Sequence, residues 1–487
     1  MSRAPLTLAP LDEHNLALRA NVHPENWKNP EPAARYNLVV IGAGTAGLVS
    51  AVGAAGLGAK VAVIERDFTG GDCLNFGCVP SKAILRVARA AAEVRRAGEL
   101  GIEFAPPIGV DFATVMERMR RLRAEISAHD SVPRLQSLGI DVFLGEGRFV
   151  APDTLEVDKQ QLKFRRAAIA TGARAASLPV PGLAEAGYLT NETLFSLTEL
   201  PRRIAVIGGG PLGCEMAQAL RRLGASVMLI EVEPRILPRD DPDAAQCLER
   251  ALRRDGVAIA TNAKVLRVEQ RSGAKLLRVD EGAAQSEVEV DEIVVGGGRE
   301  PAVDGLGLEA AGIAFDPVRG IQVDDFLRTS NPLVYAAGDV ASELRFTHLA
   351  DAHARLLLRN ALFMGRRRVS ALTIPWCTYT DPEIAQVGLS ELEARRRGIE
   401  VTTYMHELKR EDRAILDGAS DGYVKLVTRR GSDRIIGASV VASHAGEMIS
   451  EITVAITAKF GLGRLAEVIH PYPTESDAIR HAANDYT

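Results

Sequence analysis

One order of elements occurs twice in this chain and constrains its fold more than any other feature: strand, glycine-rich turn, helix, strand, acid. Asn37 to Ile41 reads as a strand. It is followed by Gly42-Ala43-Gly44-Thr45-Ala46-Gly47, an apolar helix from Ala46 to Gly56, and a strand from Lys60 to Ile64 that runs into Glu65. The order returns with a strand at Ile204 to Ile207, then Gly208-Gly209-Gly210-Pro211-Leu212-Gly213, a helix from Cys214 to Leu223, and a strand from Ser226 to Ile230 that runs into Glu231. Short apolar strands alternating with helices build a parallel sheet. In each loop the first glycine (Gly42, Gly208) allows a tight turn and the second (Gly44, Gly210) admits a pyrophosphate against the backbone. The third (Gly47, Gly213) lets helix and strand pack closely. The closing carboxylate lies roughly 20 residues beyond the loop, where it can accept a hydrogen bond from a ribose 2′-hydroxyl. Two such units predict two bound nucleotide cofactors.

At the second loop, a 2′-phosphate would bring about −2 of charge towards Glu231, whereas a free hydroxyl would donate to it. NADH is therefore favoured over NADPH, with Arg235 and Arg239 close enough in sequence to weigh the other way. Just beyond the first unit comes Gly70-Gly71-Asp72-Cys73-Leu74-Asn75-Phe76-Gly77-Cys78-Val79-Pro80-Ser81-Lys82. Cys73 and Cys78 stand at a spacing that suits a reversible disulfide. A thiolate is the reactive form of cysteine, and a helix start or a cation lowers its pKa; Cys78 looks like a helix start with Lys82 one turn on. A zinc site needs a further ligand cluster at short gaps, which the sequence lacks, so no resident metal is expected. Cys214, Cys247 and Cys377 are scattered and read as small buried apolar residues. Two nucleotides and a dithiol together predict an electron relay.

The chain has 487 residues, 46% of them hydrophobic, which at ~150 residues per domain allows about three domains with their own cores. We expect an N-terminal extension at residues 1–35, a first nucleotide-binding segment at 36–180, and a second nucleotide-binding domain at 181–305. A segment at 306–365 then returns to the first domain, and a C-terminal α+β domain follows at 366–487. The extension carries Pro5, Pro10, Pro24, Pro30 and Pro32 and no sustained period, so it reads as a surface arm without a fold of its own. Net charge is −5 with the basic residues dispersed, which argues against nucleic-acid or membrane partners. No apolar run reaches the ~18 residues of a membrane span and the start lacks a secretory pattern, so a cytoplasmic location is expected.

These residues resemble the pyridine nucleotide-disulfide oxidoreductases, the family of dihydrolipoamide dehydrogenase, glutathione reductase and mercuric reductase. The resemblance covers residues 36–487. It rests on Gly42 to Gly47, Cys73 to Lys82, Ala170-Thr171-Gly172, Gly208 to Glu215, Gly298-Arg299-Glu300-Pro301, Ala337-Gly338-Asp339, Tyr379-Thr380-Asp381-Pro382 and Val387-Gly388. It implies an FAD held by Gly42, Gly44, Gly47, Glu65, Gly71, Lys82, Gly147, Thr171, Gly172, Arg299 and Asp339. It further implies a nicotinamide nucleotide held by Gly208, Gly210, Gly213, Glu231 and Gly298. Cys78 would be the thiol against the flavin and Cys73 the interchange thiol facing the acceptor, with Lys82 and Glu215 as an ion pair beside the flavin. A homodimer follows, each acceptor site being shared between Cys73 of one subunit and the C-terminal segment of the other. The apolar stretch Glu447 to Lys459 is a candidate interface.

The segment Ile469-His470-Pro471-Tyr472-Pro473-Thr474-Glu475-Ser476-Asp477 bears on the acceptor. Disulfide-reducing members use a histidine with a glutamate five residues later. His470 and Glu475 have that spacing, but the Pro-Thr that follows the active histidine aligns only when Tyr472 takes the histidine's place and Asp477 the glutamate's. The second register keeps proline, threonine and acid together and is preferred. A tyrosine near pKa ~10 is a poor proton shuttle at neutral pH compared with a histidine near ~6.5. This points to a mercuric-reductase-like enzyme acting on a soft metal ion or a disulfide. The chain nevertheless ends Asp485-Tyr486-Thr487, without the vicinal cysteines of mercuric reductases. Alternatives are a dihydrolipoamide-dehydrogenase-type activity, direct reduction of quinones, oxygen or metal ions by flavin with dispensable cysteines, and a non-catalytic nucleotide-binding scaffold. His348 and Tyr379 are further candidates for lining the site.

Overall fold

A computed structural model describes residues 6–103, 109–282, 284–363 and 365–486. The first sheet has seven strands. Tyr36–Ile41 lies between Val61–Glu65 and Gln160–Ile169, parallel to both, with Asp141–Leu144 outside Val61–Glu65. Val334–Ala336 returns from far along the chain to pair in parallel with Gln160–Ile169. Strands covered on both faces need near-continuous apolar runs, and Leu38, Val39 and Val40 are fully buried.

The second sheet is parallel throughout, in the order Ala258–Ala260, Ser226–Ile230, Arg203–Ile207, Glu292–Val295. An antiparallel meander, Lys264–Arg271, Ala274–Asp280 and Gln285–Val290, accompanies it. The two crossings between these units, Ala173–Ala175 and Arg299–Pro301, pair with each other as an antiparallel ribbon, which fixes one unit against the other. The third sheet is antiparallel, ordered Pro375–Thr378, Glu383–Gly388, Ile435–Ala442, Tyr423–Arg429, Val401–Glu407. The fold is thus α/β, two Rossmann-like units followed by a C-terminal α+β unit.

The helices start where backbone chemistry permits. Thr45–Gly56 follows Gly44, and Pro211–Leu223 has its proline at the first position, where no N–H is needed. The segment expected to be a structureless arm instead contains a helix, Glu13–Val22, capped by Asp12 accepting from Asn15 N at 2.9 Å. Asn15, Leu18 and Val22 line its buried side, and Leu18 and Val22 pack on Phe68, Leu74 and Phe76 beside the dithiol segment. Arg123 joins the two, donating to Asn75 O and to Asn15 Oδ1 at 2.7 Å each. The candidate interface helix runs Ala445–Thr457; it buries Met448, Ile449 and Ile452 within its own chain and exposes Val454. Among the described residues no helix is long and apolar enough to cross a membrane.

Candidate active site

Both glycine loops are as tight as their spacing suggests. A Cβ on Gly47 would stand 1.8 Å from Gly42 O, and one on Gly213 would stand 1.9 Å from Gly208 O, so no side chain fits either place. Gly42 and Gly208 turn with φ of +95° and +107°. Gly210 has open space where its side chain would be, leaving the backbone at the helix N-terminus approachable. Glu65 accepts from Ala43 N at 2.6 Å and Asp67 N at 2.7 Å, and burial pushes its carboxyl up. Glu231 repeats the arrangement with Gly209 N at 2.5 Å and Glu233 N at 2.8 Å.

Gly71 shows how the dithiol is set against the first loop. It has φ +58°, and a Cβ there would meet Gly44 Cα at 2.6 Å, so only glycine lets the two loops touch. The short helix Gly71–Asn75 carries half-buried Cys73, and Cys78 is the first residue of the helix Cys78–Arg96. Both thiols are free, and the Cys73 thiol donates to Cys78. That hydrogen bond, with further help from Thr347 Oγ1 at 3.3 Å and the Lys82 charge, brings the Cys78 thiol down to about 6 against the opposing effect of burial. The same contact with Cys78 drives the Cys73 thiol upward. The pair therefore divides into one thiolate and one thiol.

Lys82 and Glu215 come from different nucleotide-binding units and meet at 2.9 Å, with a second contact at 3.2 Å. Glu215 is buried and also accepts from Tyr379 N at 3.0 Å, while Lys82 Nζ lies 4.5 Å over the Tyr379 ring. Three units thus converge on one cation. Arg299 donates to Asp72 at 2.9 Å and to Ala173 O at 2.8 Å, with Asp339 at 3.9 Å. Burial lowers the Arg299 guanidinium, but the two carboxylates outweigh it and hold it above its usual range. Thr171 donates to Ala302 O at 2.7 Å, Gly172 and Gly298 turn with φ of +71° and +106°, and Gly147 packs tightly on Ile64.

The C-terminal candidates do not pair with one another as either register suggests. Tyr472 is exposed and donates to Asp412 at 2.9 Å, while Asp477 accepts from Arg480 at 2.7 and 2.9 Å. His470 meets Glu451 at 2.9 Å and lies 3.9 Å from Asp477, and Glu475 holds His444 at 2.9 Å. Each partner comes from another element, out of reach of spacing arguments. His348 stacks on Phe346 and bonds Pro375 O at 2.7 Å; its neighbour Thr347 is the residue at the sulfur. Asp72 stands inside the quoted dithiol segment, whereas Thr347 and His444 carry no motif signal in the sequence.

Residues 36–354 match the family described as pyridine nucleotide-disulphide oxidoreductase, and residues 374–483 match its dimerisation domain. A mercuric reductase of Bacillus cereus is 35% identical over 456 residues, covering 93% of this chain and 72% of the relative. A dihydrolipoyl dehydrogenase of Thermus scotoductus is 34% identical over 454 residues, covering 92% and 96%. The solved HOCl-induced flavoprotein disulfide reductase RclA from Escherichia coli superposes with TM-score 0.83 at 27% identity, over 92% of this chain and 99% of that one.

Proposed function

The chain belongs to the pyridine nucleotide-disulphide oxidoreductase family and is an FAD-dependent oxidoreductase, and from that membership we propose that it passes electrons from NADH through the Cys73–Cys78 pair to a soft metal ion or a disulfide. The divided dithiol carries this reading. The first loop fits FAD by its shape: Gly42 and Gly47 leave no room for side chains, and the helix Thr45–Gly56 starts from Gly44, against which Gly71 of the dithiol segment packs. When bound, FAD supplies the two-electron link between the nicotinamide and the sulfurs.

The residues of the chain do the rest. Lys82, fixed by Glu215 and covered by Tyr379, keeps a positive charge one turn from Cys78 and favours its thiolate. With a disulfide acceptor, the Cys73 proton passes to Cys78 and the Cys73 thiolate attacks one acceptor sulfur, expelling the other as a thiolate that takes the proton from Cys78 and leaves as a thiol. The Cys78 thiolate then closes on Cys73 and expels the second sulfur as a thiolate, which is protonated from water, so two electrons leave with the acceptor. A soft ion is ligated by the same sulfurs instead. Tyr472 supports the metal branch: its contact with Asp412 raises the phenol, so at neutral pH it holds its proton and cannot serve as a base. NADH over NADPH is supported by Glu231 and by Arg235, which is committed to the carbonyls of Leu237, Pro238 and Asp240. A homodimer, through the matched dimerisation domain, completes each dithiol site with the other subunit's C-terminal segment.

The test is an anaerobic NADH titration of the holoenzyme. A long-wavelength thiolate-to-flavin absorbance should grow in, and it should be missing from Cys78→Ala with FAD still bound. No such band in the unaltered enzyme overturns the relay. Turnover with Hg(II), Cu(II), a panel of disulfides and quinones then ranks the acceptors. Full activity in Cys73→Ser would point to direct transfer from flavin.

A further inference from the structure

His406, Glu411 and His481 lie far apart in sequence and close together in space, and no step of the proposed reaction uses them. His406 sits on the edge strand Val401–Glu407, Glu411 follows the short turn Leu408–Arg410, and His481 belongs to the C-terminal helix Asp477–Asn484. Their nitrogen and carboxylate atoms all lie within 4.8 Å of one another, with Glu411 Oε2 3.5 Å from His406 Nε2 and 3.1 Å from His481 Nδ1. We propose that these three side chains bind one borderline divalent transition-metal ion, of the zinc, nickel or copper(II) class.

The geometry suits such an ion. Zinc–nitrogen and zinc–oxygen bonds near ~2.0–2.1 Å in a tetrahedron put neighbouring donor atoms about 3.3–3.4 Å apart, between the two spacings from Glu411, while the two histidines, within 4.8 Å of each other, draw together on the ion. The donor chemistry suits it as well, because two imidazoles and one carboxylate select borderline ions over calcium or magnesium. A second observation points the same way. His406 is 7% exposed, and its Nε2 faces the cluster with no hydrogen-bond partner among the described residues, an expensive state for a buried nitrogen without a ligand.

The surroundings supply the usual supports. Asp477 Oδ2 lies 3.7 Å from His481 Nε2, placed to accept that N–H when Nδ1 turns its lone pair on the ion. Arg480, 3.0 Å from the same nitrogen and paired with Asp477 at 2.7 and 2.9 Å, is partly exposed, and it has to give up its contact with Nε2 when the ion binds. Three protein ligands leave a fourth position, and the His481 side chain is 34% exposed, so that position is open to water. Asp412, next in sequence to Glu411, accepts the Tyr472 hydroxyl, so an ion here would adjoin the proposed acceptor segment. The sequence offers no ligand spacing at these positions, which is why no metal is expected from it.

The experiment is a Co(II) titration of air-oxidised holoenzyme, in which the dithiol is closed and cannot compete. One equivalent per chain should bind with the visible spectrum of low-coordinate nitrogen–oxygen ligation and no sulfur-to-metal absorption. His481→Ala, at the exposed edge, should keep its FAD and thermal transition yet weaken binding by at least about tenfold, what loss of an outer-shell partner alone can cost. Glu411→Gln should do the same. No stoichiometric binding, binding unchanged in both variants, or a sulfur-ligated spectrum overturns the proposal.

Discussion

Removing the hydroxyl that faces Cys78 tests how the thiolate is made. In Thr347→Val the side-chain volume is kept and the 3.3 Å contact to Sγ is lost. Hydrogen bonds to charged groups are worth about 1.5–3 kcal/mol when sheltered; Cys78 opens to solvent on one side although its sulfur is partly desolvated, so we take the low end, about 1.4 kcal/mol, one pKa unit. The thiol then moves from about 6 to about 7, because losing a donor to the anion raises it. At pH 5 the thiolate share falls about ninefold, but a thiolate of higher pKa is intrinsically more nucleophilic, by about threefold for a Brønsted slope near 0.45. Alkylation of Cys78 in the reduced protein, followed by mass spectrometry, should therefore be about threefold slower at pH 5 and about threefold faster on the alkaline plateau. The two rate profiles cross. Thr347→Ser should track the unaltered protein. An unmoved midpoint in the valine variant, or an equal shift in the serine variant, would show that Thr347 does not stabilise the anion.

Three other outcomes follow from the contacts described. Gly47→Ala, whose Cβ would press to 1.8 Å from Gly42 O, should yield protein lacking flavin absorbance, whereas Gly213→Ala, at 1.9 Å from Gly208 O, should keep flavin and lose its reduction by NADH. Flavin retention in the first variant refutes the assignment of the loops. Tyr472→Phe should slow the acceptor half-reaction and leave flavin reduction unchanged in stopped flow; equal slowing of both halves contradicts its role. Lys425→Met should cost about 3–5 kcal/mol in denaturant unfolding, because Asp241, 1% exposed, loses a partner at 2.9 Å and stays as an unpaired buried charge. A loss under about 1 kcal/mol, the range of exposed pairs, would count against a desolvated bridge.

What could be read in advance, and what could not, divides along the range of the interactions. The glycine loops, the acids that close them and the dithiol segment are local: a left-handed turn at Gly42 and a Cβ-free approach at Gly47 are demands that one stretch of chain makes on itself. Glu65 and Glu231 are legible for the same reason, since each strand end folds back onto its own loop at 2.6 and 2.5 Å. The N-terminal helix is also local. Its Asp12 cap and the Asn15, Leu18, Val22 spacing stand in the sequence, but the surrounding prolines obscured them. The C-terminal segment is different in kind. Spacing arguments pair Tyr472 with Asp477 or His470 with Glu475, because a linear register compares a segment only with itself. The fold instead gives Tyr472 to Asp412, His470 to Glu451 and Glu475 to His444, each from a different element. Side chains near a shared surface take their partners from whatever packs against them, and that packing is set by the antiparallel sheet of the last unit. The same reason hides the His406, Glu411, His481 cluster: its ligands come from a strand, a turn and a helix that only the completed domain brings together. In this chain the motif residues therefore meet local demands of the backbone, whereas the contacts of the C-terminal candidates are assembled by tertiary packing.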